Sequence, residues 1–126
     1  MDEIQPMKQF PPPEVWEAQL IQASDALNDA LVPAWEQLKK DFSPHATLGD
    51  PSSWKEALDM TEIALSELML RSVDQFHQVL YRIDLPESRS ARLLQREALN
   101  SRLTELAKLV LWRACQKIWI RQHWST

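Results

Sequence analysis

From Glu14 onward the apolar residues recur at steps of three and four. Trp16, Leu20, Ala23, Leu27, Leu31, Ala34 with Trp35, Leu38 and Phe42 form one stripe, the period of a helix with one face on a core. Pro33 lies inside this run, where it removes a backbone donor and crowds the preceding turn. The stripe keeps its phase across it, so the pattern predicts one helix over residues 14–42, kinked at Pro33. After a loop rich in breakers, Asp50-Pro51 reads as an N-cap followed by proline at the first helical position. A second stripe then runs through Trp54, Leu58, Thr61, Leu65, Leu68, Met69, Ser72, Phe76, Val79 and Ile83. Ile83-Asp84-Leu85-Pro86 interrupts it, because a residue before proline avoids the helical region. A third helical region extends from Pro86, with Leu99, Leu103, Leu106, Ala107, Val110, Ala114 and Ile118 as its core face. Asn100-Ser101 are poor mid-helix residues, so this region is one helix or, the preferred reading, a short one followed by a long one. The expected fold is an all-α bundle of three long helices, the last split or continuous, in a single domain over residues 14–126.

Composition narrows the class. The chain has 126 residues, 44% apolar and 25% charged, enough for one domain with a real core. Gly49 is the only glycine. That argues against a sheet, whose turns and bulges need glycine, and excludes a glycine-rich phosphate loop. Cys115 is the only cysteine, so an intrachain disulfide is impossible and a zinc site could draw on one thiolate at most. The longest uninterrupted apolar run is Leu109 to Trp112, far below the roughly 20 residues of a membrane span. The acidic start, Met1-Asp2-Glu3, lacks the pattern of a signal peptide. These features predict a soluble, cytoplasmic protein.

Charge divides the chain. Residues 1–67 carry 13 acidic and 4 basic side chains, a net of −9; residues 68–126 carry 5 acidic and 10 basic, a net of +5. Eight of those ten are arginine: Arg71, Arg82, Arg89, Arg92, Arg96, Arg102, Arg113 and Arg121. Either the acidic half lies against the basic half, the preferred reading, or the basic half is kept for a polyanion. Residues 1–13 contain Pro6 and Pro11-Pro12-Pro13 and favour an extended polyproline arm, poorly ordered or laid over the surface. Such an arm could serve an aromatic groove as a proline-rich ligand; a stiff lead-in to the first helix is the preferred reading.

Leu80-Tyr81-Arg82-Ile83-Asp84, together with the ending Gln116-Lys117-Ile118-Trp119-Ile120-Arg121-Gln122-His123-Trp124, resembles a group of short, uncharacterised bacterial all-helical proteins. In these a Tyr-Arg-Ile-Asp turn precedes the last helical region. The chain departs from their pattern at Pro86, where a small polar capping residue would stand. The resemblance implies an all-helical fold and carries no activity, ligand or functional residue.

Few residues could carry chemistry. Asp74 and His77 lie one turn apart, like half of a di-iron bundle site, but no second carboxylate and histidine pair accompanies them. Cys115 has basic neighbours in sequence that could activate a thiol, yet it falls near the core stripe and reads as a small buried hydrophobe. No enzyme activity, metal or cofactor is expected. The remaining signal is six tryptophans. Trp16, Trp35 and Trp54 fall on core stripes. Trp112 and Trp119 are one heptad apart and roughly opposite Leu103 and Val110, with Leu109 and Ile120 beside them. Ile63, Leu70 and Tyr81 make a comparable second face on the preceding helix. A helix apolar on two faces is either central in its bundle or covered by a partner, and three or four helices leave little room for a central one. The expectation is therefore a protein interaction module, self-associating as a homodimer or docking to a partner protein through Leu109, Trp112, Trp119 and Ile120. The alternative is nucleic-acid binding by the interleaved Arg and Trp residues near the C-terminus. A membrane-surface role ranks below both, because Glu105 shares the side of the tryptophans.

Overall fold

The computed structural model describes residues 10–22, 30–94 and 102–124, and serine side chains mark several of its helix boundaries. Ser53 is in extended backbone and its hydroxyl accepts from Glu56 N–H at 3.1 Å. The Glu56 carboxylate reaches back to Ser52 N–H at 2.6 Å and Ser52 Oγ at 2.8 Å. This reciprocal cap starts the helix at Trp54 rather than at Asp50-Pro51. Ser72 does two tasks. Its backbone N–H closes the preceding helix on the Leu68 carbonyl, and its hydroxyl accepts from Gln75 N–H to open the next.

Six helices result among the described residues: α1 (Pro13–Gln22), α2 (Leu31–Phe42), α3 (Trp54–Arg71), α4 (Val73–Ile83), α5 (Glu87–Leu93) and α6 (Leu103–Trp124). The all-helical class agrees with the sequence pattern, but three long helices do not describe it. The expected second helix is divided at Ser72, whose extended backbone at φ −160° and ψ 108° no helix interior accommodates. Among the described residues Pro33 is not in the interior of a helix. It stands in the first turn of α2, where the N–H it lacks would have no intrahelical partner. Residues 23–29, through which one helix over residues 14–42 would have to pass, lie outside the described residues, as do Asn100 and Ser101. On either side of that second gap stand a short α5 and a long α6. At the Tyr-Arg-Ile-Asp turn, Asp84 adopts the left-handed conformation (φ 64°) and ends α4, a position asparagine and aspartate tolerate better than most side chains.

The core is organised around α6. Leu106, Val110, Leu111 and Ala114 are completely shielded, and Leu109, Trp112 and Cys115 are buried on its other sides. Helix α6 packs most extensively on α2 and α3, and also touches α1, α4 and α5. Breaking the chain into more, shorter helices is what supplies the walls. Leu31, Leu38 and Phe42 of α2, Leu65 and Leu68 of α3, and Phe76, Val79 and Ile83 of α4 complete the interior. The loop between α2 and α3 is pinned rather than free. Trp35 Nε1 donates to the Gly49 carbonyl at 2.6 Å, Lys39 pairs with Asp50 at 2.6 Å, and Arg71 and Arg82 donate to the carbonyls of His45 and Ser43.

Candidate interaction surfaces

The four residues of the expected contact on α6 separate into two kinds. Leu109 and Trp112 are each only 5% exposed, Trp119 is half-buried, and Ile120 is 38% exposed. Leu109 and Trp112 thus correct the expectation of an open surface: the chain itself covers them. The Phe10 ring lies against both indoles, with centroids 6.2 Å from Trp112 and 6.0 Å from Trp119. Trp112 Nε1 donates to the Pro11 carbonyl at 2.9 Å. A carbonyl flanked by prolines sits in backbone short of N–H donors, so it is free to accept from a side chain. On the far side His123 stacks on Trp119 at 4.2 Å, anchored through Nδ1 to the Trp119 carbonyl. The proline run predicts a stiff lead-in, poorly ordered or laid over the surface, but its composition does not reveal that Phe10 anchors it. An aromatic residue directly before three prolines was the feature to weigh.

The second apolar face lies open. Leu70 is 81% and Tyr81 86% exposed, with Ile63 at 55% and Val73 at 56%. Ile63 and Leu70, two turns apart, share a side of α3. Val73, His77 and Tyr81 follow at steps of four along α4, with Asp74, Gln78 and Arg82 beside them around a shallow groove. Val73 was not singled out in the sequence, because a continuous helix through Ser72 would have assigned it a different orientation.

The arginines are largely committed to the chain. Arg71 and Arg82 hold loop carbonyls, Arg89 meets Glu14 at 2.6 Å, and Arg113 binds both the carbonyl and the carboxylate of Asp84. Among the described residues three ion pairs join the acidic half to the basic half: Glu14 with Arg89, Glu17 with Lys108 at 2.8 Å, and Asp41 with Lys117 at 3.2 Å. A charged cleft among α1, α5 and α6 is lined by Glu14, Glu17, Arg89, Arg102, Glu105 and Lys108, acids and bases in equal number.

Groups with reactive potential are placed for structure. Burial pushes the Cys115 thiol up to about 12, while a hydrogen bond from Trp16 acts in the opposite direction. A thiolate is therefore negligible at neutral pH. His77 is exposed and meets the Phe76 ring edge-on, and no group of three or more His, Cys, Asp or Glu among the described residues could hold a metal ion. No helix among them is long and apolar enough to cross a membrane. No family model matches the chain, and neither a curated protein nor a solved structure matches it.

Proposed function

We propose that this chain is a self-associating helical interaction module whose contact face is the outer side of α4 with the adjoining end of α3. The observation that carries this reading is the exposure of Leu70 and Tyr81, at 81% and 86%, beside Val73. Large apolar side chains clustered in the open mark contact sites on soluble domains. A second copy fits the face by symmetry. In a two-fold antiparallel pairing of α4 helices about His77, each Val73 meets the other copy's Tyr81. Such a self-complementary surface is what an isologous dimer requires. Nucleic-acid binding is less well supported, because Arg71, Arg82, Arg89 and Arg113 already bind acceptors within the chain.

Sedimentation equilibrium on the wild type and on Leu70→Asp/Tyr81→Asp tests this. The wild type should be a dimer that tolerates salt, and the double variant a monomer with unchanged helicity. A monomeric wild type, or a double variant that remains dimeric, would overturn the proposal. Loss of co-purifying nucleic acid on raising salt would revive the other reading.

A further inference from the structure

We infer that the Trp112–Trp119 face of α6 is a receptor for proline-rich peptides, and that the chain's own Phe10-Pro11 occupies it in cis. This goes beyond the proposed contact on α4 and uses none of its residues. Three observations converge. The occupant is an aromatic residue leading into three consecutive prolines, whose ring-fixed φ leaves little backbone freedom to lose on docking. The surface beneath it is two tryptophans one heptad apart on a single helix, with a third ring, His123, stacked on Trp119. The polar contact joining them is an indole N–H donating to a proline-flanked carbonyl, Trp112 Nε1 to Pro11 at 2.9 Å. An aromatic-lined groove combined with a donor to a proline-flanked carbonyl is the physical basis on which Pro-rich ligands are recognised.

The geometry also sets the kind of ligand. Phe10 fills the space between the two indoles, at 6.2 and 6.0 Å, so the groove selects an aromatic residue followed directly by prolines. The remaining rim of the face is Ile120, 38% exposed. Because the arm continues straight into Pro13 of α1, its local concentration at the groove is high, on the order of millimolar for a short tether. A competing peptide must overcome that advantage. The arm therefore acts as an autoinhibitory strap, and a partner bearing the same aromatic-proline sequence displaces it.

The test uses the full chain and a blocked peptide spanning residues 8–14, Lys-Gln-Phe-Pro-Pro-Pro-Glu. In the variant Phe10→Ser/Pro12→Gly the strap loses its anchor ring and its stiffness, while the Pro11 carbonyl and Pro13 remain. The indole N–H resonance of Trp112, assigned through Trp112→Phe, is followed during titration. In the variant the peptide should shift this resonance saturably towards its wild-type position. In the wild type the same shift should need at least about tenfold more peptide. A folded variant that gives no saturable shift, or one that binds the Phe→Ser peptide equally well, overturns the inference. Should the variant fail to fold, the wild type is titrated with a spin-labelled peptide. Selective broadening of the Trp112 and Trp119 indole signals supports the receptor reading, and broadening that is absent or shared by all six tryptophans overturns it.

Discussion

Asp41 and Lys117 form a mostly buried ion pair between α2 and α6, and its removal should be strongly asymmetric. Asp41 is 7% exposed, with its carboxylate held by Gln37 Nε2 at 3.1 Å and Lys117 Nζ at 3.2 Å. Lys117 Nζ also donates to the Arg82 carbonyl at 3.0 Å. Replacing Lys117 by Met leaves a shielded carboxylate with one neutral donor. Breaking a buried pair from one side costs about 3–5 kcal/mol, and the 16% exposure of the Lys117 side chain admits enough water to place this case near the lower end. Asp41→Leu leaves an ammonium on a long stem that can turn towards solvent, so its cost should be smaller, about 1–2 kcal/mol against the same reference. The double variant Asp41→Leu/Lys117→Met puts apolar side chains beside Leu38, Phe42 and Ile118, and should return to within about 1 kcal/mol of the wild type.

Urea denaturation followed by circular dichroism at neutral pH measures all four corners of this cycle, provided the slope with denaturant stays constant. The expected coupling between the two sites is about 3 kcal/mol or more. If the two single changes are each nearly neutral and simply add, the pair is solvated and the argument from burial is wrong.

Other outcomes follow from single contacts. Trp54 Nε1 is buried without an acceptor whereas Trp35 Nε1 donates to Gly49, so Trp54→Phe should be the milder of the two changes by about 1–2 kcal/mol, as thermal melts would show. Ser72→Ala removes the cap of α4 and should cost about 1 kcal/mol, whereas Ser72→Asn should keep most of the stability; equal losses would deny the hydroxyl its role. Hydrogen bonds from Ser52 hold the Glu56 carboxylate below its ordinary 4.5. Its contribution is thus present above that value and lost as pH falls through the lower folded-state value, so Glu56→Gln should flatten the acid limb of the stability curve. Cys115, with its thiol at about 12, should resist iodoacetamide at pH 8 until the chain is unfolded; fast labelling of native protein would contradict its burial.

How much of this was written in the sequence depends on which signal governed each element. Helical periodicity located most of the buried apolar positions, including Trp16, Trp35 and Trp54, because a stripe facing the core is a property of one segment alone, but it missed Ala57, Ala64, Leu80, Leu109, Leu111 and Trp112. Helix ends were less legible where they were set by capping rather than by Gly or Pro. Ser72-Val-Asp-Gln75 is a capping sequence of the same form as Ser53-Trp-Lys-Glu56, but the apolar stripe runs on through it and masks the break. Pro33 misled in the other direction: phase continuity suggested a kink where the proline opens a helix. The Trp112 face was legible on α6 as apolar, but its cover was not, since Phe10 and Pro11, which lie against it, come about a hundred residues earlier in the chain. Long-range cover of that kind leaves no periodic trace.

The opposite charges of the two halves and the two-faced apolar character of α6 have one physical explanation. A helix buried on most of its circumference can carry polar side chains only where a neighbour supplies the matching group. Arg113 of α6 meets Asp84 at the end of α4, within the basic half, whereas the other lysines and arginine of the helix reach across: Lys108 meets Glu17 of α1, Lys117 meets Asp41 of α2, and Arg121 meets Gln37 of α2. Each of these last three partners comes from the acidic half. The charge division therefore directs the first two helices onto α6, and with the Phe10 strap they close its second apolar face from within the chain. Helix α4 differs in this respect. Its inner residues Phe76, Val79 and Ile83 are fully buried, while Val73 and Tyr81 on its outer side meet no corresponding cover. Among the described residues the most exposed large apolar side chains are thus Leu70 at the end of α3 and Tyr81 on α4, with Ile63 and Val73 beside them, and they form the face proposed above as the contact between copies.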